Sequence, residues 1–369
     1  MESSVKFKLR PLRRLGPASL LALVSVAISF AQASSSATRV WSVGSLTKSE
    51  SVTGITFGSG GASIGAPHLD SQTESIFAAT RSVVFAGDRI IIALRGGDQT
   101  AKQSYQLLSL DAKTGEIKDS REFVDFGVRA IFATNDDHVI VSGTSVLRLT
   151  PDLKDDGSFD YHATGQRHGR VQNASPDGST IGNATSPGYE LINSQTLKAT
   201  VLTTDGSVDT SVSNKGFVTD NVHWISQYPK DLSFVTYTDA TGGHLLYHGR
   251  CGGRPQFLSD DLVLEPGCKS PLIVDTQGNL VKTLPLKSDF SFAGVSQNGK
   301  RFALQVASFS GMHSLKKERF VIYSVDTWEP VAEVTPDALA EEQSWTAFSP
   351  GGSLFVVGSP LKLTLYLLP

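Results

Sequence analysis

Seven copies of one short pattern run from residue 85 to residue 349, and they constrain the fold more than any other feature of the chain. Each copy is an apolar run, a tight polar turn and a second apolar run. The turns read Phe85-Ala-Gly-Asp88, Thr134-Asn-Asp-Asp137, Ser175-Pro-Asp-Gly178, Ser213-Asn-Lys-Gly216, Leu258-Ser-Asp-Asp261, Ser296-Gln-Asn-Gly299 and Ser349-Pro-Gly-Gly352. Their starts lie 49, 41, 38, 45, 38 and 53 residues apart. Self-similarity at that spacing is the period of a four-stranded unit that cannot bury its two faces alone and must stack on its neighbours. The expectation is an all-β chain forming a single β-propeller of seven four-stranded blades. An eighth blade stays open as an alternative, because Thr47 to Thr80 is long enough to hide strands and the outer half of the fourth copy is poorly defined.

The pattern also gives the order of strands within a blade. In the sixth copy Phe290–Val295, Arg301–Ala307, Phe320–Val325 and Pro330–Val334 read as strands a to d. Runs such as Ile90-Ile-Ile-Ala-Leu94 are continuously apolar, which suits inner strands covered on both faces. Polar turns between c and d open on Asp or Asn, at Asp111, Asn193, Asp275 and Asp326, residues whose side chains close such turns themselves. The seventh copy has three strands only, Trp345–Phe348, Leu354–Gly358 and Leu363–Leu368. Its fourth is expected from the other end of the chain, at Arg39-Val-Trp-Ser-Val43. Thr335 and Pro336 open a segment to Glu342 that allows a turn or two of helix.

Residues 1–33 read as a signal peptide. Lys6, Lys8, Arg10, Arg13 and Arg14 precede the apolar stretch Ser19 to Phe30, and Ala31-Gln32-Ala33 fits a small-residue cleavage site. The apolar stretch is shorter than the roughly 20 residues a bilayer core requires. The organisation expected is therefore 1–33 signal peptide, 34–81 closing strand and long loop, and 82–369 propeller repeats, in the periplasm or outside the cell. Cleavage takes the formal charge from -3 to -7. An acidic domain whose one basic cluster, Lys316-Lys317 with Arg319, reads as a solvated loop has no footprint for nucleic acid or an anionic membrane. No membrane insertion is expected after cleavage, and a monomer is.

The turns Ser175-Pro-Asp-Gly178 and Ser349-Pro-Gly-Gly352, preceded by aromatic or small residues, resemble those of bacterial secreted propellers of the WD-repeat-like type, over roughly residues 82 to 369. Trp-Asp dipeptides are absent and Gly243-His244 has no partner Trp-Asp, which separates the chain from the WD-repeat adaptors. Related propellers include quinone-dependent dehydrogenase subunits and lactone hydrolases, so the resemblance implies a shape and leaves the function open.

Several residues invite a chemical reading. Cys251 and Cys268, the two cysteines of the chain, are expected to pair in an oxidising compartment, contributing about 3 kcal/mol in the loop-entropy model. Gly61-Ala-Ser-Ile-Gly65 has the letters of a nucleophile elbow without its strand–helix frame, and reads as a flexible loop. Asp152 to Gly157 lacks an oxygen ligand at the third position of a calcium loop, where Lys154 stands, and reads as a solvated turn. His244 and His248, four apart in a strand, could share a face; with His162 and His168 they read as surface or packing residues. The paired acids Asp136-Asp137 and Asp260-Asp261 recur at one turn position, which argues for turn chemistry.

No catalytic residue, metal ligand or cofactor is expected from these residues. The reading that follows is a non-catalytic binding or scaffolding module for a protein or glycan. Its contacts are expected in Thr47 to Thr80 and Ser308 to Arg319, with Phe57, Phe309 and Arg254 as candidate binding residues. The alternative is a propeller enzyme or redox subunit, quinoprotein- or lactonase-like, that uses the central channel.

Overall fold

Each of the seven turns joins the first two of four antiparallel strands that make one blade. The computed structural model describes residues 35–43, 55–58, 61–64, 83–96, 104–124, 126–160, 170–185, 188–203, 211–223, 232–249, 254–265, 270–286, 290–310, 314–336, 345–359 and 362–369. The proposed signal peptide and most of the Pro336–Glu342 segment fall outside them.

Blade 1 is Val83–Ala86, Arg89–Gly96, Ser104–Asp111 and Ile117–Val124. Blade 2 is Ala130–Ala133, Val139–Ser142, Val146–Leu149 and Asp155–Phe159; blade 3 is Arg170–Ala174, Thr180–Thr185, Gly188–Asn193 and Ala199–Thr203. Blade 4 is Ser211–Val212, Gly216–His223, Leu232–Asp239 and Gly242–Gly249, so its outer half is two full strands. Blade 5 is Gln256–Ser259, Leu262–Glu265, Leu272–Asp275 and Leu280–Thr283; blade 6 is Phe290–Val295, Arg301–Ser310, Ser314–Ser324 and Pro330–Val334. Trp345–Phe348, Leu354–Ser359 and Lys362–Leu367 make three strands of blade 7, and Thr38–Val43 is the fourth.

Seven apolar clusters lie between the blades, one at each seam. In blade 1, Ile90 and Ile92 face blade 7, while Ile91 and Ala93 face blade 2. Alternate side chains of a strand point to opposite faces, so a strand covered on both faces must be apolar throughout. The same rule places Phe302 against blade 5 and Ala303 against blade 7. Because blade 7 shares a cluster with blade 1, the row of sheets closes into a ring. The seven-bladed propeller is thereby established, and no eighth blade is required: Thr47 to Thr80 contributes the two-stranded hairpin Ile55–Gly58 with Gly61–Ile64.

Ser63 therefore lies in a strand, and the flexible loop expected around it is corrected over Gly61–Ile64. The described residues of the segment Ser308 to Arg319 are likewise no loop. They extend the two central strands of blade 6, where polar and charged residues break the apolar alternation of a strand.

The seam between blades 3 and 4 has the smallest described cluster, Tyr189, Val212 and Phe217, with the Tyr189 and Phe217 rings stacked at 4.2 Å. Gly182 is what lets Tyr189 lie flat across its own sheet. A Cβ at Gly182 would fall on the Tyr189 hydroxyl and come within 3.3 Å of Val212 Cβ. Gly182→Ala is expected to cost about 2–3 kcal/mol through overpacking, and less in a Tyr189→Phe background, where the hydroxyl is gone. Chemical denaturation of the two single variants and the double variant checks the coupling; strictly additive costs would reject it.

Candidate functional site

In each blade the a–b and c–d turns meet at one end of the ring, and the b–c and d–a connections meet at the other. The two ends are chemically different.

At the turn end, the recurrent serine or threonine explains the repeat. Ser175 Oγ donates to Asp177 Oδ1 at 2.6 Å and accepts the Thr180 N–H at 3.0 Å. Ser296 does the same with Asn298 and the Arg301 N–H, and Thr134 with Asp136 and the His138 N–H. The fourth turn residue is left-handed in four blades: φ is 76° at Gly178, 66° at Gly299, 75° at Gly352 and 64° at Asp137. Aspartate tolerates that conformation better than most residues, at a cost glycine does not incur. Asp137→Gly is expected to raise stability by about 0.5–1 kcal/mol, net of glycine's greater freedom when unfolded. An urea midpoint that fell would contradict this.

The acids of these turns are held by their neighbours. Arg148, with 5% of its side chain exposed, donates Nη2 to Asp136 Oδ2 at 2.6 Å and Nε to Asp156 Oδ2 at 2.7 Å. Its Nη1 reaches the Ser194 carbonyl of blade 3 at 2.9 Å. Burial pushes the Asp136 carboxyl up, but the hydrogen bonds from Arg148 and Thr134 and the charges of Arg148 and His138 outweigh it and hold the group below the usual aspartate range. Burial likewise opposes the charge on Arg148, and its two carboxylate partners more than restore it.

Asp177 is also held low, with burial overcome by Ser175, the Ser179 N–H, Asn214 and the Ser179 hydroxyl. Asn214 joins three blades, donating Nδ2 to Asp177 Oδ2 at 2.9 Å and its backbone N–H to Asp260 Oδ1 at 2.9 Å. This polar tie crosses the seam with the smallest apolar cluster. Lys215 Nζ pairs with Asp261 at 2.8 Å. The turn role expected for Asp136 and Asp260 is what these contacts describe, whereas the Asp152–Gly157 turn is shorter than expected, because Asp155 already opens strand d of blade 2.

One bond spans the axis of the ring. Gln297, in the turn of blade 6, donates Nε2 to the Thr134 carbonyl in the turn of blade 2 at 3.1 Å. These blades are three seams apart one way and four the other, so the side chain bridges the channel at the turn end.

At the opposite end three carboxylates that sequence inspection missed are buried: Glu190 is 3% exposed, Glu265 0% and Glu318 3%. Glu190 accepts from Asn183 Nδ2 at 3.0 Å, and Glu318 from Gln305 Nε2 at 2.5 Å. Burial, then the charge of Glu265, pushes the Tyr247 phenol up. The signal that could have found them is an acid inside an otherwise apolar run, as in Leu262-Val-Leu-Glu265.

The expected binding residues sit on three separate elements. Phe57 lies in the strand Ile55–Gly58, Phe309 in the strand Arg301–Ser310, and Arg254, which is exposed, precedes blade 5. Cys251, Cys268, His162 and His168 lie outside the described residues. His244 and His248 do not share a face. A bulge between Val235 and Thr236 sets His244 opposite Tyr237 and His248 opposite Phe234, and the extra residue reverses the alternation. His244 bonds the Thr276 carbonyl at 2.6 Å, and His248 packs on Phe234 with ring centroids 4.7 Å apart. His244 is partly buried and His248 exposed, and both fit the reading as surface or packing residues.

No family model and no curated protein matches the chain. Among solved structures it is similar to the C-terminal WD40 domain of Sif2, with a TM-score of 0.47 and 10% identity over 79% of this chain and 97% of that one. It is also similar to BamB from Moraxella catarrhalis, with a TM-score of 0.43 and 13% identity over 90% of this chain and 99% of that one. The fold assignment rests on the seven sheets and seven seams themselves.

Proposed function

We propose that this chain is an exported, non-catalytic binding module that engages a protein or glycan partner through the end of the ring opposite the bridged turns. Export would follow from the signal-like residues 1–33, with the mature chain working in the periplasm or outside the cell as a monomer. A disulfide between Cys251 and Cys268, beside Arg254, would brace the connection between blades 4 and 5 at that end.

The observation that carries this reading is the contrast between the two ends. At the turn end the recurrent acids are engaged by Arg148, Asn214, Lys215 and the turn hydroxyls, so their carboxylates serve the scaffold. At the other end the blades differ in height, their two central strands running from four residues in blades 2 and 5 to ten and eleven in blade 6. Uneven loops and hairpins on a rigid ring are where propellers place their contacts.

A thermal-shift screen of residues 34–369 against EDTA, divalent metals, quinones, envelope glycans and peptides tests the reading. A ligand present at 100 times its Kd stabilises by about 2.7 kcal/mol, well within detection. Stabilisation by one glycan or peptide class is expected. Reproducible stabilisation by a metal or a quinone, or its loss in EDTA, would turn the assignment to channel chemistry.

A further inference from the structure

Asn298-Gly299, in the first turn of blade 6, is the one Asn–Gly pair of the chain. Glycine puts no side chain beside its own backbone nitrogen, so that nitrogen is free to close on the side-chain carbon of the asparagine before it. The bond formed is Gly299 N to Asn298 Cγ, and the bond broken is Cγ to Nδ2, which leaves as ammonia. Water then opens the five-membered imide at either carbonyl and gives aspartate or isoaspartate at 298. Solvent is the one co-reactant, and Asn298 is exposed to it.

The closed ring holds this pair out of reaction. Asn298 Oδ1 accepts from Ser296 Oγ at 2.7 Å and from the Lys300 N–H at 3.1 Å, while the Gly299 N–H donates to the Ser296 carbonyl at 2.8 Å. Two further bonds reach blade 7: Nδ2 donates to the Gly351 carbonyl at 3.0 Å, and the Asn298 N–H to the Pro350 carbonyl at 3.2 Å. The amide turns onto Gly299 N only after it has left Gly351.

The same contacts say what the product does. Asp136 and Asp177 stand at the matching position of the blade 2 and blade 3 turns, and accept from Thr134 and Ser175 as Asn298 does from Ser296. Those two acids face donors, Arg148 at one and Asn214 at the other. Asn298 faces a carbonyl, so its position requires a donor. Aspartate at 298 keeps the turn but sets its carboxylate against the Gly351 oxygen, with no proton between them. Isoaspartate adds one carbon to the backbone and disturbs the turn as well.

We infer that Asn298 is a modification site whose deamidation is gated by opening of the seam between blades 6 and 7, and that the reaction leaves that seam easier to open. Blade 7 is the blade that Thr38–Val43 completes, so the site first registers and then weakens the closure of the ring. The conversion runs one way, because the ammonia is lost.

The test incubates residues 34–369 at mildly alkaline pH, folded and in denaturing urea, beside a Trp41→Ala chain in which the closing strand loses its bond to Ala112. Peptide mapping by mass spectrometry follows aspartate and isoaspartate at 298. Asn193 serves as the internal reference, since its Oδ1 is held by the Gln195 and Thr196 N–H groups of its own exposed turn. Deamidation at 298 is expected to be about tenfold slower in the folded chain than in urea, because it waits on local opening. Trp41→Ala should speed it at 298 and leave 193 unchanged. Where Trp41→Ala does not fold, urea below the unfolding midpoint opens the parent chain in its place. Asn298→Asp should melt about 2 °C lower, the loss of roughly one hydrogen bond in a chain of this size. Equal rates at 298 in the folded chain and in urea overturn the inference. So does a rate at 298 that fails to rise with opening, or an Asn298→Asp chain that melts no lower than the parent.

Discussion

A chain that begins at residue 44 is expected to lose the single cooperative melt of the intact protein. Thr38–Val43 is hydrogen-bonded along Leu363–Leu367 as the outer strand of blade 7, so its loss strips one edge of the last sheet. The same segment also engages both neighbouring blades. A bulge between Arg39 and Trp41 leaves Val40 in solvent and turns Trp41 toward blade 1, where the indole Nε1 donates to the Ala112 carbonyl at 2.9 Å and the ring packs on Gly115. On the other side Ser35–Ser36 pairs with blade 6. Nine residues, Ser35 to Val43, thus staple blades 6, 7 and 1, and they complete blade 7 at the strand pair where the two ends of the chain meet. Burying one large side chain contributes about 1.5–3 kcal/mol, and a domain is stable by about 5–15 kcal/mol in all. Loss of Trp41 with the whole strand is therefore expected to remove most of the stability and open the ring. Calorimetry of residues 34–369 and 44–369 checks this. Restoration of the transition by a synthetic 34–46 peptide would confirm that the strand acts as a removable closure, whereas equal melts would refute it.

How much of this was legible in the sequence depends on whether a residue's role is local. The turns were readable because five of the seven open on a Ser or Thr, and its hydroxyl, as at Ser175, bonds groups within six residues of chain. The blade count and the closing strand followed from the period and from the apolar run around Trp41. The bulge that separates His244 from His248 was not readable, since the alternation of Gly242–Gly249 alone does not say where Leu246 is skipped. The pairing of Ala307–Ser310 with Ser314–Glu318 reads as a loop in sequence because its charged and polar residues break the apolar alternation of a strand. Gln297 and Arg148 depend on contacts 163 and 46 residues away, which no local pattern encodes.

Arg148 should be the most costly single side chain of the turn end to remove. It is nearly buried and holds two carboxylates and the Ser194 carbonyl, so Arg148→Ala leaves Asp136 partly buried without its cation. Removing one member of such a group costs about 3–5 kcal/mol in buried settings, and about 3 kcal/mol is expected here because both carboxylates are partly exposed. The pH dependence separates lost charge from lost packing. In the intact protein the Asp136 carboxyl lies below its unfolded value, near 3.9, so the stability it contributes is complete above that value and disappears as pH falls through the lower folded one. In Arg148→Ala only Thr134 and His138 are left to oppose burial, so that contribution shrinks. The stability gap between the two proteins should therefore be widest at neutral pH, begin to narrow below about pH 4 and go on narrowing as pH falls through the lower folded value. Urea denaturation at pH 7 and at pH 3.5 measures it, with Arg148→Met retaining most of the packing at both. A gap that stays constant between the two pH values would assign Arg148 to packing across the seam between blades 2 and 3, and would remove the charge network from the account of why the ring holds at its turn end.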